Sequence, residues 1–258
     1  MSKVWENLPA WVEHRRTMDG RSIGFVPTMG ALHHGHASLI QRCRKENEIV
    51  VVSIFINPTQ FNDPADLRRY PRTRTEDLSL LESIKVDEVL IPTAEELYPE
   101  GYRFRIEEGR LTQFMEGVRR PGYLQGVMTV VLKLLNLVRA RRAYFGEKDY
   151  QQLQIIKDMV KEFFIPTEII GCSTVREGSG LAASSRNVLL STNARERAAL
   201  IAKTISNPNI GCEESAAILE RAGFSVEYVE EHFGRRFVAA WLDGVRLIDN
   251  AARNQTEA

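Results

Sequence analysis

From residue 22 to residue 172, short apolar runs alternate with stretches whose apolar residues recur every three or four positions. Strands are expected at 22–26, 49–56, 86–91, 143–145 and 167–172, and helices at 36–47, 75–85, 127–138 and 150–164. The run Ile-Val-Val-Val-Ser-Ile-Phe-Ile at 49–56 is apolar on both of its faces. A strand reads that way when helices cover both sides of a parallel sheet. Such alternation builds βαβ units, so the expected fold is α/β: a Rossmann-like parallel sheet with helices on both faces. Sheets of this kind bind ligands beyond the carboxyl ends of their strands, which directs attention to the loops after Val26, Ile56, Phe145 and Cys172.

Beyond residue 174 the style changes. Helices are expected at 193–205 and 213–222, separated by the turn-rich Ser206-Asn-Pro-Asn-Ile-Gly211. Strands are expected at 225–230, 236–242 and 245–248, with Asp243-Gly244 as a hairpin signal. The chain is therefore expected to divide into a sheet domain over 1–174 and a small C-terminal α+β lid domain over 175–258.

Composition excludes several classes. The 34 Lys+Arg balance 34 Asp+Glu, which argues against a nucleic-acid partner. No apolar run approaches the roughly 18–20 residues of a membrane span, so no membrane partner is expected. Residues 1–20 carry Glu6, Glu13, Arg15 and Arg16 and no apolar stretch, so no signal peptide is expected. Cys43, Cys172 and Cys212 are scattered without CxxC spacing, which fits a reducing cytoplasm and offers no zinc framework.

Four loops carry candidate chemistry. The first, Pro27-Thr-Met-Gly-Ala-Leu-His-His-Gly-His36, joins a strand to a helix, where helix N-terminal N–H groups accept phosphate. Gly30 and Gly35 let a ligand approach the backbone, and His33 and His36 can donate to phosphate oxygens. A metal held by His33, His34 and His36 is the rival reading, without a further His or Cys nearby to support it. The second loop, Asn57-Pro-Thr-Gln-Phe61, is either an ordinary turn or a place where a carboxamide reads hydroxyl and carboxylate groups. The third, 146–152, offers Lys148 as a point charge for phosphate, Asp149 as a helix cap or a ligand contact, and Gln152 one turn into the helix. The fourth, Gly180-Leu-Ala-Ala-Ser-Ser-Arg-Asn187, is either an interdomain linker or an anion clamp led by Arg186.

Read together, PTMGALHHGH at 27–36, VVVSIFINPTQF at 50–61, RYPRT at 69–73, FGEKDYQQL at 145–153, VRE at 175–177, GLAASSRN at 180–187 and AAWLDGVRLIDN at 239–250 resemble the pantothenate synthetase (pantoate–β-alanine ligase) family. That family belongs to the HIGH-motif nucleotidylyl-transferring group. The resemblance covers nearly the whole chain. It implies a two-step reaction: pantoate and ATP give a pantoyl adenylate and pyrophosphate, then β-alanine gives pantothenate and AMP. It implies that His33, His36 and Lys148 are catalytic, with His36 as proton donor. It implies an ATP site of Pro27, Thr28, Met29, Gly30, His33, Gly35, His36, Gly146, Glu147, Lys148, Asp149, Val175, Ala183, Ser184, Ser185 and Arg186. Gln60, Gln152 and Asn57 are implied for pantoate and β-alanine, Asp77 for Mg²⁺, and a cytoplasmic homodimer for the assembly.

Three departures stand out. The usual RPGHF reads Arg120-Pro-Gly-Tyr-Leu124, the usual Asp before GLA is Ser179, and the stretch 207–237 lacks about one hairpin or loop. The alternative enzyme is a related nucleotidylyltransferase that uses the same loop without coupling an amine. A non-catalytic nucleotide-binding protein is the third reading.

Overall fold

A computed structural model describes residues 2–253. The described chain divides into two compact units, residues 2–147 with 151–172, and residues 148–150 with 173–253. The first unit is built on β1 (Lys3–Trp5), β2 (Ile23–Thr28), β3 (Ile49–Ile54), β4 (Glu88–Leu90), β5 (Arg142–Gly146) and β6 (Glu168–Cys172). They form one parallel sheet in the order β1-β4-β3-β2-β5-β6. From β2 the chain steps outward through β3 to β4 and then returns to the other side of β2, so order reverses between β2 and β5. That reversal opens a crevice at their carboxyl ends, the position where such sheets place ligands.

The helices of this unit are α1 (Leu8–Arg16), α2 (His34–Glu46), α3 (Pro64–Arg69), α4 (Arg74–Ser83), α5 (Ala94–Leu97), α6 (Glu116–Arg119), α7 (Tyr123–Val138) and α8 (Tyr150–Glu162). Helix α2 buries Ile40 and Cys43 against β2 and β3, beside Val26, Val50, Val52 and Tyr144. Strand β3 is buried at all six positions, as its nearly continuous apolar run demands. The strand β1 and helix α1 were not expected. Three residues, one of them Lys, give too little alternation to read, and α1 announces itself only by the Asn7 cap and Pro9. Helix α7 begins four residues earlier than the apolar run suggests, because Gly122, at φ 82, looks like loop in sequence.

The second unit holds a three-stranded antiparallel sheet, β7 (Ser225–His232), β8 (Arg235–Leu242) and β9 (Val245–Ala252). Helices α9 (Thr192–Ala198), α10 (Leu200–Ile205) and α11 (Cys212–Arg221) complete an α+β layer around Ile201, Leu219, Phe224, Val238 and Leu247. The single helix expected at 193–205 is two, divided at Ala199. Asp243 and Gly244 have φ of 55° and 72°, the paired left-handed geometry of a tight hairpin. Phe233 and Gly234 (53° and 66°) make the same turn between β7 and β8, where no turn was legible. Residues 148–150 were expected with the sheet domain but group with this unit. Asn250 Nδ2 donates to the Lys148 carbonyl at 2.9 Å, and Tyr150 packs by Phe233 and Phe237 under the Arg235 guanidinium. No helix among the described residues is long and apolar enough to cross a membrane.

Candidate active site

The loop after β2 is tied down by its own side chains. Thr28 Oγ1 donates to the Ser53 carbonyl at 2.7 Å and accepts from Gly30 N–H at 3.2 Å. Gly30 and Ala31 both take positive φ, 75° and 48°, which turns the chain sharply out of the strand. Asp77, on α4, closes this turn. Its Oδ2 accepts from Ala31 N–H at 2.9 Å and its Oδ1 from Leu32 N–H at 2.7 Å, and Thr73 donates to it as well. The Asp77 side chain is 2% exposed and its oxygens are committed to the loop. Asp77 therefore braces the loop from α4 through both carboxylate oxygens. No group of three or more His, Cys, Asp or Glu that could hold a metal ion occurs among the described residues.

His33 is the N-cap of α2, and it shares a reciprocal cap with His36. His33 Nδ1 accepts from Gly35 N–H at 3.1 Å, while His36 Nδ1 accepts from His33 N–H at 3.3 Å. A ring nitrogen that accepts carries no proton, so each neutral imidazole holds its proton on Nε2. The two rings lie 4.1 Å apart between centroids. His34 is exposed, with its ring edge-on to that of His33 at 5.9 Å between centroids. The expected role of the backbone amides thereby changes. Those of Gly30, Ala31, Leu32, His33 and Gly35 are all engaged within the protein.

The loop after β3 forms a short 3₁₀ turn, Pro58–Gln60, capped by Asn57. Asn57 and Gln60 are both buried. Asn57 Nδ2 donates to Gln60 Oε1 and to the Gly126 carbonyl, each at 3.1 Å, and Tyr98 donates to Asn57 Oδ1 at 2.9 Å. Burial pushes the Tyr98 phenol above its ordinary pKa, which keeps it a donor. Gln60 Nε2 lies 3.2 Å from Met29 Sδ, on the first loop. Gly146 ends β5, Glu147 opens the next turn, and on α8 Gln152 Oε1 accepts from the Tyr123 hydroxyl at 3.0 Å. The neighbouring Gln151, unassigned by sequence, is a brace: it accepts from Glu116 N–H and donates to the carbonyls of Leu111 and Phe114.

In the second unit, Lys148 and Asp149 are half-buried, and Asp149 directly precedes α8. The fourth loop is folded back on residues 175–177. Ala183 N–H donates to the Val175 carbonyl at 2.9 Å and Glu177 N–H to the Leu181 carbonyl at 2.8 Å. Ser184 caps the 3₁₀ turn Ser185–Leu189, which contains half-buried Arg186. Arg176 makes a bidentate pair with Asp249 at 2.6 and 3.1 Å and also donates to the Gly180 carbonyl. Asn187 joins Glu177 to the Ala182 carbonyl. The Arg176–Asp249 pair went unread because its partners lie 73 positions apart. The loop is thus a built feature of its unit and not a plain linker.

These features define a class: an α/β protein with two imidazoles fixed by a reciprocal cap at the switch point of a parallel sheet, an arrangement suited to a phosphate-bearing ligand. Known proteins narrow the class. The pantoate-beta-alanine ligase family model matches residues 2–252. A pantothenate synthetase of Bdellovibrio bacteriovorus is 50% identical over 250 residues, 97% of this chain and 99% of the relative. One from Legionella pneumophila is 50% identical over 249 residues, covering 96% and 98%. A pantoate-beta-alanine ligase from Francisella tularensis, solved with beta-gamma ATP and β-alanine, has a TM-score of 0.94 at 40% identity and covers both chains fully. The pantothenate synthetase of Thermus thermophilus gives 0.87 at 39% identity, covering 96% of this chain and 98% of that one. The chain belongs to the pantoate-β-alanine ligase family.

Proposed function

We propose that this chain joins pantoate to β-alanine in two ATP-dependent steps. The pantoate carboxylate attacks the α-phosphorus of ATP, the bond to the β-phosphate oxygen breaks, and pyrophosphate leaves. The β-alanine amine then attacks the acyl carbon of the pantoyl adenylate. The acyl–oxygen bond breaks, AMP leaves, and the amine loses a proton to give the amide. Both steps are served by positioning and charge stabilisation and need no protein nucleophile.

The reciprocal imidazole cap supports this reading: it fixes the rings of His33 and His36 at the mouth of the loop through their Nδ1 atoms. The rings meet the phosphates as charge develops, with His36 as proton donor. Lys148 adds a point charge to the phosphates. Pro27 to Gly30, Gly35, Gly146, Glu147, Asp149 and Val175 line the nucleotide, and Ala183, Ser184, Ser185 and Arg186 clamp it. Gln60 and Gln152 hold pantoate, with Asn57 orienting Gln60. Mg²⁺ would enter with the triphosphate and neutralise part of its charge, relying on few protein ligands. The protein acts in the cytoplasm as a homodimer, in keeping with three free cysteines. Burial pushes the Cys43 thiol up to about 12, so it stays a packing group.

The test is isotope exchange. Labelled pyrophosphate should enter ATP when pantoate is present with MgATP and β-alanine is absent. Adding β-alanine should then yield AMP and the amide. ADP as product, or an exchange that needs β-alanine, would overturn the two-step order. Exchange with no amide formed would identify a nucleotidylyltransferase instead.

A further inference from the structure

Gln60 and Gln152 are taken here, as proposed above, to be the amides that meet the acid substrate. The orientation of Gln60 is set by backbone groups whose roles are unambiguous. Asn57 Oδ1 accepts from Thr59 N–H at 3.4 Å and Asn57 Nδ2 donates to the Gly126 carbonyl at 3.1 Å, so the Asn57 amide has one orientation. Its Nδ2 also donates to Gln60 Oε1. With that oxygen engaged, Gln60 offers Nε2, whose partner among the described residues is a thioether, a weak acceptor. Gln60 is 8% exposed, so this underused donor lies almost wholly inside the protein.

Gln152 is arranged in the same way by a different residue. Its Oε1 accepts from the Tyr123 hydroxyl at 3.0 Å. Tyr123 is 7% exposed, and the Arg120 guanidinium lies 3.7 Å from its ring centroid. The phenol is therefore packed in place. Tyr123 and Gly126 are three apart and share a face of α7. Gly126 abuts the 59–60 backbone so closely that a Cβ there would lie 2.5 Å from the Thr59 oxygen and 2.7 Å from Gln60 Cα. One turn of α7 thus supports both glutamines. An amide whose oxygen is taken has only N–H left to offer, which suits the carboxylate and hydroxyl oxygens of a hydroxy acid and does not suit an ammonium group.

We propose that Tyr123 is a positioning residue for the acid substrate: its hydroxyl fixes Gln152 with Nε2 outward, as Asn57 fixes Gln60. This chain carries Tyr123 where the resemblance leads one to expect His, so the device belongs to its own sequence. Tyr123→Phe should raise KM for pantoate about 3- to 10-fold, the worth of one hydrogen bond, with KM for ATP and β-alanine changed less than about twofold. Gln152→Ala should raise KM for pantoate by more, and adding Tyr123→Phe to it should produce no further rise. Independent, multiplying effects would overturn the proposal, as would an unchanged pantoate KM in Tyr123→Phe or an equal rise in all three constants. Should Gln152→Ala itself leave pantoate untouched, the assignment of Gln152 falls, and the role of Tyr123 with it. A response to Gln152→Ala without one to Tyr123→Phe would remove only the role of Tyr123.

Discussion

Each unit of this protein buries a charged side chain that ties down a loop, and the two cases are instructive side by side. Asp77, in the first unit, is an anion held by the N–H groups of Ala31 and Leu32 and the Thr73 hydroxyl. Arg236, in the second, is a cation with 0% exposure that donates to the carbonyls of Asn207 and Ile210, to Ser215 and to Glu231. The physics is the same: a buried charge is tolerated because backbone dipoles and hydroxyls surround it. What differs is the loop. The one under Asp77 carries His33 and His36, while residues 207–210 carry Asn, Pro and Ile with no comparable chemistry. A buried charge therefore marks a loop that must not move, and the residues on that loop decide whether immobility serves a reaction or only the fold.

The sharpest way to break this contrast is to remove the chemistry and keep the loop. His33→Asn supplies a strong N-cap but no Nε2–H, so kcat should fall about 10²- to 10³-fold, roughly 2.7–4 kcal/mol, with unfolding free energy within about 0.5 kcal/mol of the parent. Steady-state kinetics and chemical denaturation on one preparation check both halves. A retained kcat would return His33 to a purely structural role.

Arg236→Met is the mirror experiment. It keeps volume but strips donors from buried acceptors, costing about 2–4 kcal/mol of stability by that count. Below the lowered melting transition, kcat should stay within about threefold of the parent, since no chemistry rides on residues 207–210. A large loss of kcat in well-folded protein would erase the distinction between the two loops.

Asp77→Asn lies between them. One accepting oxygen becomes an NH₂ facing a backbone N–H, a cost of about 1–3 kcal/mol. Here kcat should fall along with stability, because the same bonds hold the histidines' loop. Stability loss alone would show that the loop keeps its shape without the brace.

The smallest effect comes from a surface carboxylate outside both loops. The Arg42 hydrogen bond, then that of Tyr144, hold the Glu46 carboxyl below its usual range. A depressed carboxylate adds stability above its unfolded pKa and loses it as pH falls through the folded one. Glu46→Gln should therefore be slightly less stable at pH 7, by a few tenths of a kcal/mol given its exposure, and should match the parent in acid. A gap that persists in acid would mean that something other than charge is lost.

Much of this was legible in the sequence because it is local. The run at 49–56 could only be a strand with both faces covered, and two histidines around a glycine at a strand–helix junction pointed to the loop that the structure places at the switch point. What escaped was non-local or unlabelled. Asp77 reads as an ordinary first-turn acid of α4, and nothing in sequence joins it to Ala31 and Leu32. Tyr123 stood out only as a departure from a resembling pattern; its partner Gln152 lies 29 positions away. The backbone amides of Gly30, Ala31, Leu32, His33 and Gly35 looked available for phosphate until the structure showed them engaged by side chains. Phe233-Gly234 escaped because an aromatic residue rarely takes positive φ.

Those two hairpin turns have a consequence in time. In the C-terminal sheet, β7 meets β8 and β8 meets β9 across two-residue turns already shaped for right-handed twist, so each pairing closes a very short stretch of chain. The parallel sheet has no such shortcut: β1 finds its partner β4 only after the intervening elements are laid down, with Trp5 opposite Leu90. Hairpins form in about 1–10 μs, whereas pairings between distant residues wait on loop closure and are slower. Amides of 225–252 should accordingly gain hydrogen-exchange protection before those of 23–28 during refolding, so the part of the chain that carries the least chemistry sets up first, and the sheet that holds the histidine loop completes last.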